Sequence, residues 1–175
     1  SVPTPPKALS YTLPADQQAI AATIKKLIAD SQVKSESVNI ALPESQVFTR
    51  VIQVPQLSQR ELTSAIKWEA EQYIPLPLDQ VNVDFTVLRD SKETGTNTMD
   101  VLLVAGPKAL IEKYVSILEM AELVPLIVET EIISASRALV RSVSNVRTVM
   151  IISLGAQTTD LAILRGGVIA FTRSI

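Results

Sequence analysis

The stretch Val149-Met-Ile-Ile-Ser-Leu-Gly-Ala-Gln-Thr-Thr-Asp160 gathers the residues of this chain best suited to holding a phosphate. Gly155 would let backbone amides approach an anion closely, and Thr158 and Thr159 would add hydroxyl donors. Ser153, Gln157 and Asp160 flank the same turn. On chemistry alone an ordinary β-hairpin accounts for it better, with Gly155 supplying a positive φ and the threonines favouring the strand. Both readings stand on the residues alone.

Residue types that are missing remove most other chemistry. The chain has no His and no Cys, so it has no imidazole base, His-ligated metal, thiolate zinc site, disulfide or cysteine nucleophile. The absence of cysteine fits a reducing compartment. Its five glycines form neither a G-x-x-x-x-G-K-[ST] loop nor a G-x-G-x-x-G turn. Sixteen basic residues face eighteen acidic ones, and only 4% are aromatic, which argues against a nucleic-acid partner. With 47% apolar residues and a mean hydropathy of +0.28, the 175 residues can build a core. The longest apolar runs, Val101 to Gly106 and Leu123 to Val128, are far shorter than the roughly 20 residues of a bilayer span. The absence of an initiator Met and of a signal peptide, with a last strand that stops at Ile175, reads as a segment of a longer chain.

The elements that would position the turn follow from periodicity and punctuation. A proline-rich linker opens the chain, and Ile20, Ile24, Leu27 and Ile28 mark an amphipathic helix over about 15–31. Strands are predicted at 38–42 and 47–54. A helix then starts at the capping box Ser58-Gln-Arg-Glu61, carries the stripe Leu62, Ala65, Ile66, Ala70 and Tyr73, and stops before Pro75 and Pro77. Trp68 falls off that stripe, which predicts a partly exposed ring. Strands at 81–88 and 99–105 flank a polar hairpin tip over 89–97. A helix opened by Pro107, a strand at 125–129 and a helix over about 131–142 come next. Three strands close the chain at 148–154, 159–164 and 168–172, the last two joined across Gly166-Gly167. The fold class is mixed α/β.

Trp68-Glu-Ala-Glu-Gln-Tyr-Ile-Pro-Leu-Pro-Leu78, with Val38-Asn-Ile-Ala-Leu-Pro-Glu-Ser45 upstream and Val101-Leu-Leu-Val-Ala105 downstream, resembles the PilM family of type IV pilus assembly proteins over nearly the whole chain. The turn at 153–160 resembles the second phosphate motif of the actin-like ATPase superfamily, to which that family and the FtsA-like division proteins belong. The resemblance implies an actin-like fragment: a linker and a 1A helix over 1–37, an inserted SHS2-type 1C subdomain over 38–105, more of 1A over 106–147, and the first β-meander of 2A over 148–175.

Several functional expectations come with the resemblance. Ser153, Gly155, Gln157, Thr158, Thr159 and Asp160 become the phosphate-binding set. Glu131, with Glu129 as its rival, becomes the weak candidate for orienting a water. Ser153 stands where the superfamily usually has Asp, and a hydroxyl is a poor partner for Mg²⁺. The first phosphate motif and the adenosine-binding half are not in the sequence, so this chain alone is expected to hold no cofactor and to hydrolyse no ATP, with ATP and Mg²⁺ left to the longer protein. Trp68, Tyr73, Ile74, Pro75, Leu76 and Pro77 become the partner-binding set. Their expected partner is the N-terminal peptide of a PilN-like inner-membrane protein, received at a 1A/1C cleft, which implies a cytoplasmic scaffold held at the membrane through that partner. The meander is expected to dock against the strand at 125–129, within the chain or swapped from a second copy. The same resemblance leaves two alternatives: a nucleotide-binding component active only at full length, and an FtsA-like division protein.

Overall fold

The computed structural model describes residues 1–5, 14–140, 142 and 146–175. Most of the opening linker lies outside the described residues, as does Arg141 in the tail of the helix expected to reach Ser142. The elements run α1 (Pro14–Asp30), β1 (Ser37–Leu42), β2 (Phe48–Pro55), α2 (Gln59–Tyr73), β3 (Val81–Arg89), a one-turn helix α3 (Ser91–Thr94), β4 (Thr98–Pro107), α4 (Lys108–Met120), β5 (Val124–Thr130), α5 (Glu131–Val140), β6 (Thr148–Leu154), β7 (Thr159–Arg165) and β8 (Val168–Ser174). Short 3₁₀ turns at Glu44–Gln46 and Leu78–Gln80 precede β2 and β3. Among the described residues no helix is long and apolar enough to cross a membrane.

The chain divides into two compact units, Ser1–Ile40 with Ala109–Val128, and Ala41–Lys108 with Glu129–Ile175. In the first, Ala21 of α1 and Ile117, Ala121 and Leu123 form a small core, joined by Ile20, Ile24, Ile28 and Val38. Both helices there end in a left-handed residue that is not glycine. Gln32 has φ 55° and Glu122 has φ 62°, and the Val33 and Leu123 amides reach back to the Ile28 and Leu118 carbonyls at 3.2 and 2.9 Å. These are Schellman ends.

The second unit is built on β4, the centre of an antiparallel sheet of order β2-β4-β3. Register pairs Ile52 with Val101 and Phe85 with Leu103. Successive side chains of a strand point to opposite faces, and β4 is apolar on both. Val101, Leu103 and Ala105 pack with Leu62, Ile66 and Ala70 of α2. Leu102 and Val104 pack with Ile132 of α5 and with Ile151, Ala162, Leu164 and Ile169 of the meander. Two layers therefore clamp one strand.

The meander β6-β7-β8 is a separate antiparallel sheet. Gly166 and Gly167 close its second hairpin at φ 59° and 84°, the doubly positive geometry that a two-residue turn requires. The expected docking of this meander against the strand at 125–129 is not how the strands pair. β5 hydrogen-bonds to β1, leaving β6-β7-β8 a sheet of its own. The strand at 38–42, read as part of the inserted module, thereby joins β5 rather than the β2-β4-β3 sheet. Pairing between strands so distant in sequence is not written in local periodicity.

Candidate functional site

The turn between β6 and β7 is fixed by hydrogen bonds of its own backbone. Ser153 stands opposite Asp160 and Leu154 opposite Thr159 in the ladder. The Gly155 amide donates to the Thr158 carbonyl at 2.9 Å, and the Thr159 amide donates to the Ile175 carbonyl at 2.9 Å. Gly155 does not adopt the positive φ expected of it; the glycines that do are Gly95, Gly166 and Gly167. Its need is space, because a Cβ at that position would stand 2.9 Å from the Thr158 carbonyl oxygen. The amides of Gly155 and Thr159 are thus spent within the fold, while those of Ala156, Gln157 and Thr158 take no part in these bonds.

Asp160 points inward from β7, 4% exposed, with its Oδ1 lacking a hydrogen-bond partner. Across from it lies Glu44, 6% exposed, a residue that sequence reasoning did not single out. Burial raises the Glu44 carboxyl above its ordinary value, the hydroxyls of Thr172 and Thr130 pull it back, and Asp160 adds to the rise. Glu131, the first residue of α5, is also raised, by burial first and then by the charges of Asp160 and Glu44. Glu129 is ion-paired with Arg137 instead. The fold therefore brings together Glu131, Asp160 and the unforeseen Glu44. Ser153 shares the face of Asp160 at the outer end of the sheet, as directly opposed residues do.

Thr158, Thr49, Thr172 and Arg173 line a recess of about 340 Å³ with Glu44 on its wall. Its side chains supply one carboxyl, Glu44, against one cation, Arg173, and the charge of Asp160 acts on Glu44 from beside it, so the recess holds no excess of positive charge to attract a phosphate. Ser153 offers no charge to a metal cation, and among the described residues no three acidic groups are spaced to hold one. The residues present do not fit a Mg²⁺-phosphate centre by themselves.

A second candidate surface lies at the end of α2. The helix starts in a full capping box: the Glu61 amide donates to Ser58 Oγ at 3.4 Å and the Ser58 amide to Glu61 Oε2 at 2.9 Å. Leu62, Ile66, Ala70 and Ile74 repeat every four residues and are buried. Ile74 closes the helix in an extended conformation, its amide donating to the Ala70 carbonyl at 2.9 Å. It belongs to the core and presents nothing to a partner. Tyr73 is half-buried beneath the Arg50 guanidinium, 4.3 Å from the ring centre. Trp68 is 65% exposed and Leu76 42%, with Pro75 and Pro77 also exposed. Lys108 Nζ donates to the Asp79 carbonyl at 2.7 Å and ties down the turn that follows. The result is a rigid apolar ridge on a short stretch of chain.

The protein is a mixed α/β chain whose structural neighbours include one described as having an actin-like ATPase fold, a Bacteroides thetaiotaomicron protein (TM-score 0.45, 12% identity, 89% of this chain and 55% of that one). The cytoplasmic domain of EpsL, an inner-membrane component of the Vibrio cholerae type II secretion system, matches with a TM-score of 0.58 at 14% identity, over 89% of this chain and 56% of that one. A chain of a PilM–PilN type IV pilus biogenesis complex matches with a TM-score of 0.87 at 29% identity, over 99% of this chain and 52% of that one. Residues 1–175 match the family model for the type IV pilus assembly protein PilM, and the chain belongs to that family. It spans about half the length of these solved relatives.

Proposed function

We propose that the chain is a non-catalytic scaffold of type IV pilus assembly, binding the N-terminal peptide of a PilN-like inner-membrane protein. The observation that carries this reading is the 0.87 match, over 99% of the chain, to a PilM–PilN complex. The ridge at the end of α2 supports it. Two prolines hold Leu76 outward beside the half-buried Tyr73, so little conformational freedom is lost when a peptide lies against them. Trp68 adds a large exposed ring of the kind that anchors interfaces. On the same reading the chain by itself turns over no ATP, because two amides of the 155–159 turn are already bonded and the recess beside it holds no excess of positive charge.

Calorimetric titration of a synthetic PilN-type N-terminal peptide into the chain tests the proposal. Saturable binding is expected, weakened roughly tenfold by Trp68→Ala. No heat at high micromolar peptide contradicts it.

A further inference from the structure

We infer that a recess of about 350 Å³, walled by Arg89, Arg147 and Arg165, binds a phosphate-bearing ligand. The three cations come from separate parts of the sequence and are positioned by backbone. Arg165 ends β7, opposite Thr148 on one side and Val168 on the other. The Gly166 amide donates to the Arg147 carbonyl at 2.9 Å, which fixes Arg147 at the same end of the meander. Arg89 ends β3, and its guanidinium is oriented by a 2.5 Å ion pair with Asp100.

The countercharges near the recess are already occupied. Asp100 is 7% exposed and holds Arg89 while accepting from Gln53 Nε2 at 3.3 Å. Glu93, the acidic residue of the wall, accepts the Asp90 amide at 3.0 Å in the capping box of α3. Among the described residues neither Arg147 nor Arg165 is ion-paired. With Asp100 and Glu93 set against Arg89, Arg147 and Arg165, the recess keeps a net excess of positive charge in a chain whose overall charge is −2.

Guanidinium groups present parallel N–H donors that match the oxygens of a phosphate two at a time, and several together favour a doubly charged phosphate over a single carboxylate. Leu88 and Val168 give the recess an apolar side, and its volume takes a phosphate group with part of what carries it. A soluble phosphate compound and the headgroup of an anionic phospholipid share this chemistry.

The test titrates the chain with pyrophosphate at low salt, and separately floats it with phosphatidylglycerol or phosphatidylcholine vesicles. Arg147→Gln/Arg165→Gln is the variant, and Arg60→Gln, on an exposed face of α2 away from the recess, is the control. Binding in either arm is expected to weaken at least roughly tenfold in the double variant, to hold in the control, and to fall with salt. Pyrophosphate binding without vesicle binding assigns a soluble ligand, and the reverse assigns a lipid. Each variant's unfolding midpoint without ligand reports its folding, and a rise in the wild-type midpoint with pyrophosphate is a second readout independent of the variants. The assignment is overturned if wild-type protein binds neither probe, or if the double variant binds as wild type does. Neither outcome bears on the peptide surface at the end of α2.

Discussion

Glu44 carries a carboxyl group into a site where burial opposes its ionisation and Asp160 adds a second negative charge, with the hydroxyls of Thr172 and Thr130 as partial compensation. The sign of its effect on stability follows directly. A carboxyl whose folded pKa lies above its ordinary 4.5 holds more protons in the native than in the unfolded state between those two values. Stability therefore falls as pH rises through that window, and at neutral pH the buried charge is a net cost. Glu44→Gln keeps the shape and removes the charge. Thermal unfolding between pH 4.5 and 7.5 should show the variant more stable than wild type at pH 7, with the gap closing towards the acid end. A variant less stable at pH 7 would mean that the ionised carboxylate holds β2, β8 and α5 together. Little of this was legible in sequence. Pro43-Glu44-Ser45 reads as a polar turn, and only the tertiary arrangement of β2, β7, β8 and the start of α5 buries it. Gly155 was legible as a requirement but not in its cause, since a close backbone approach leaves the same residue behind as a positive φ does.

Elements were readable where local chemistry decides them. Ser58 and Glu61 announced the start of α2, and the reciprocal bonds are present; Ser58→Ala should cost about 1 kcal/mol in a urea unfolding series, with the slope unchanged. Gly166-Gly167 announced a hairpin and delivers it with both φ positive. The unbroken apolar run of β4 fits a buried strand but does not name its two covers, because α2 and the meander meet it through contacts far apart in the chain. Asp90 and Glu93 form a second capping box inside a stretch that read as a plain polar tip, producing the single turn of α3. Helix ends were the harder part. α1 and α4 stop on left-handed Gln32 and Glu122, where no glycine marks the stop. The strand partners of β1 and β5 were not legible at all, since register between distant strands is chosen by the whole fold.

At the scale of the molecule, membership of the PilM family and the match to a PilM–PilN complex agree with the resemblance carried by residues 68–78. What residues contribute there is divided by burial: Ile74 stabilises the core, whereas Trp68, Pro75, Leu76 and Pro77 are free to meet a partner. The recess at Arg89, Arg147 and Arg165 makes a separate claim, for a different ligand chemistry on other elements. Hydrogen–deuterium exchange of the chain, with and without a PilN-type N-terminal peptide, tests the central assignment most directly. Slower exchange centred on the amides from Trp68 to Leu78 is the predicted result. Unchanged exchange there under saturating peptide, or protection confined to other segments, would contradict it.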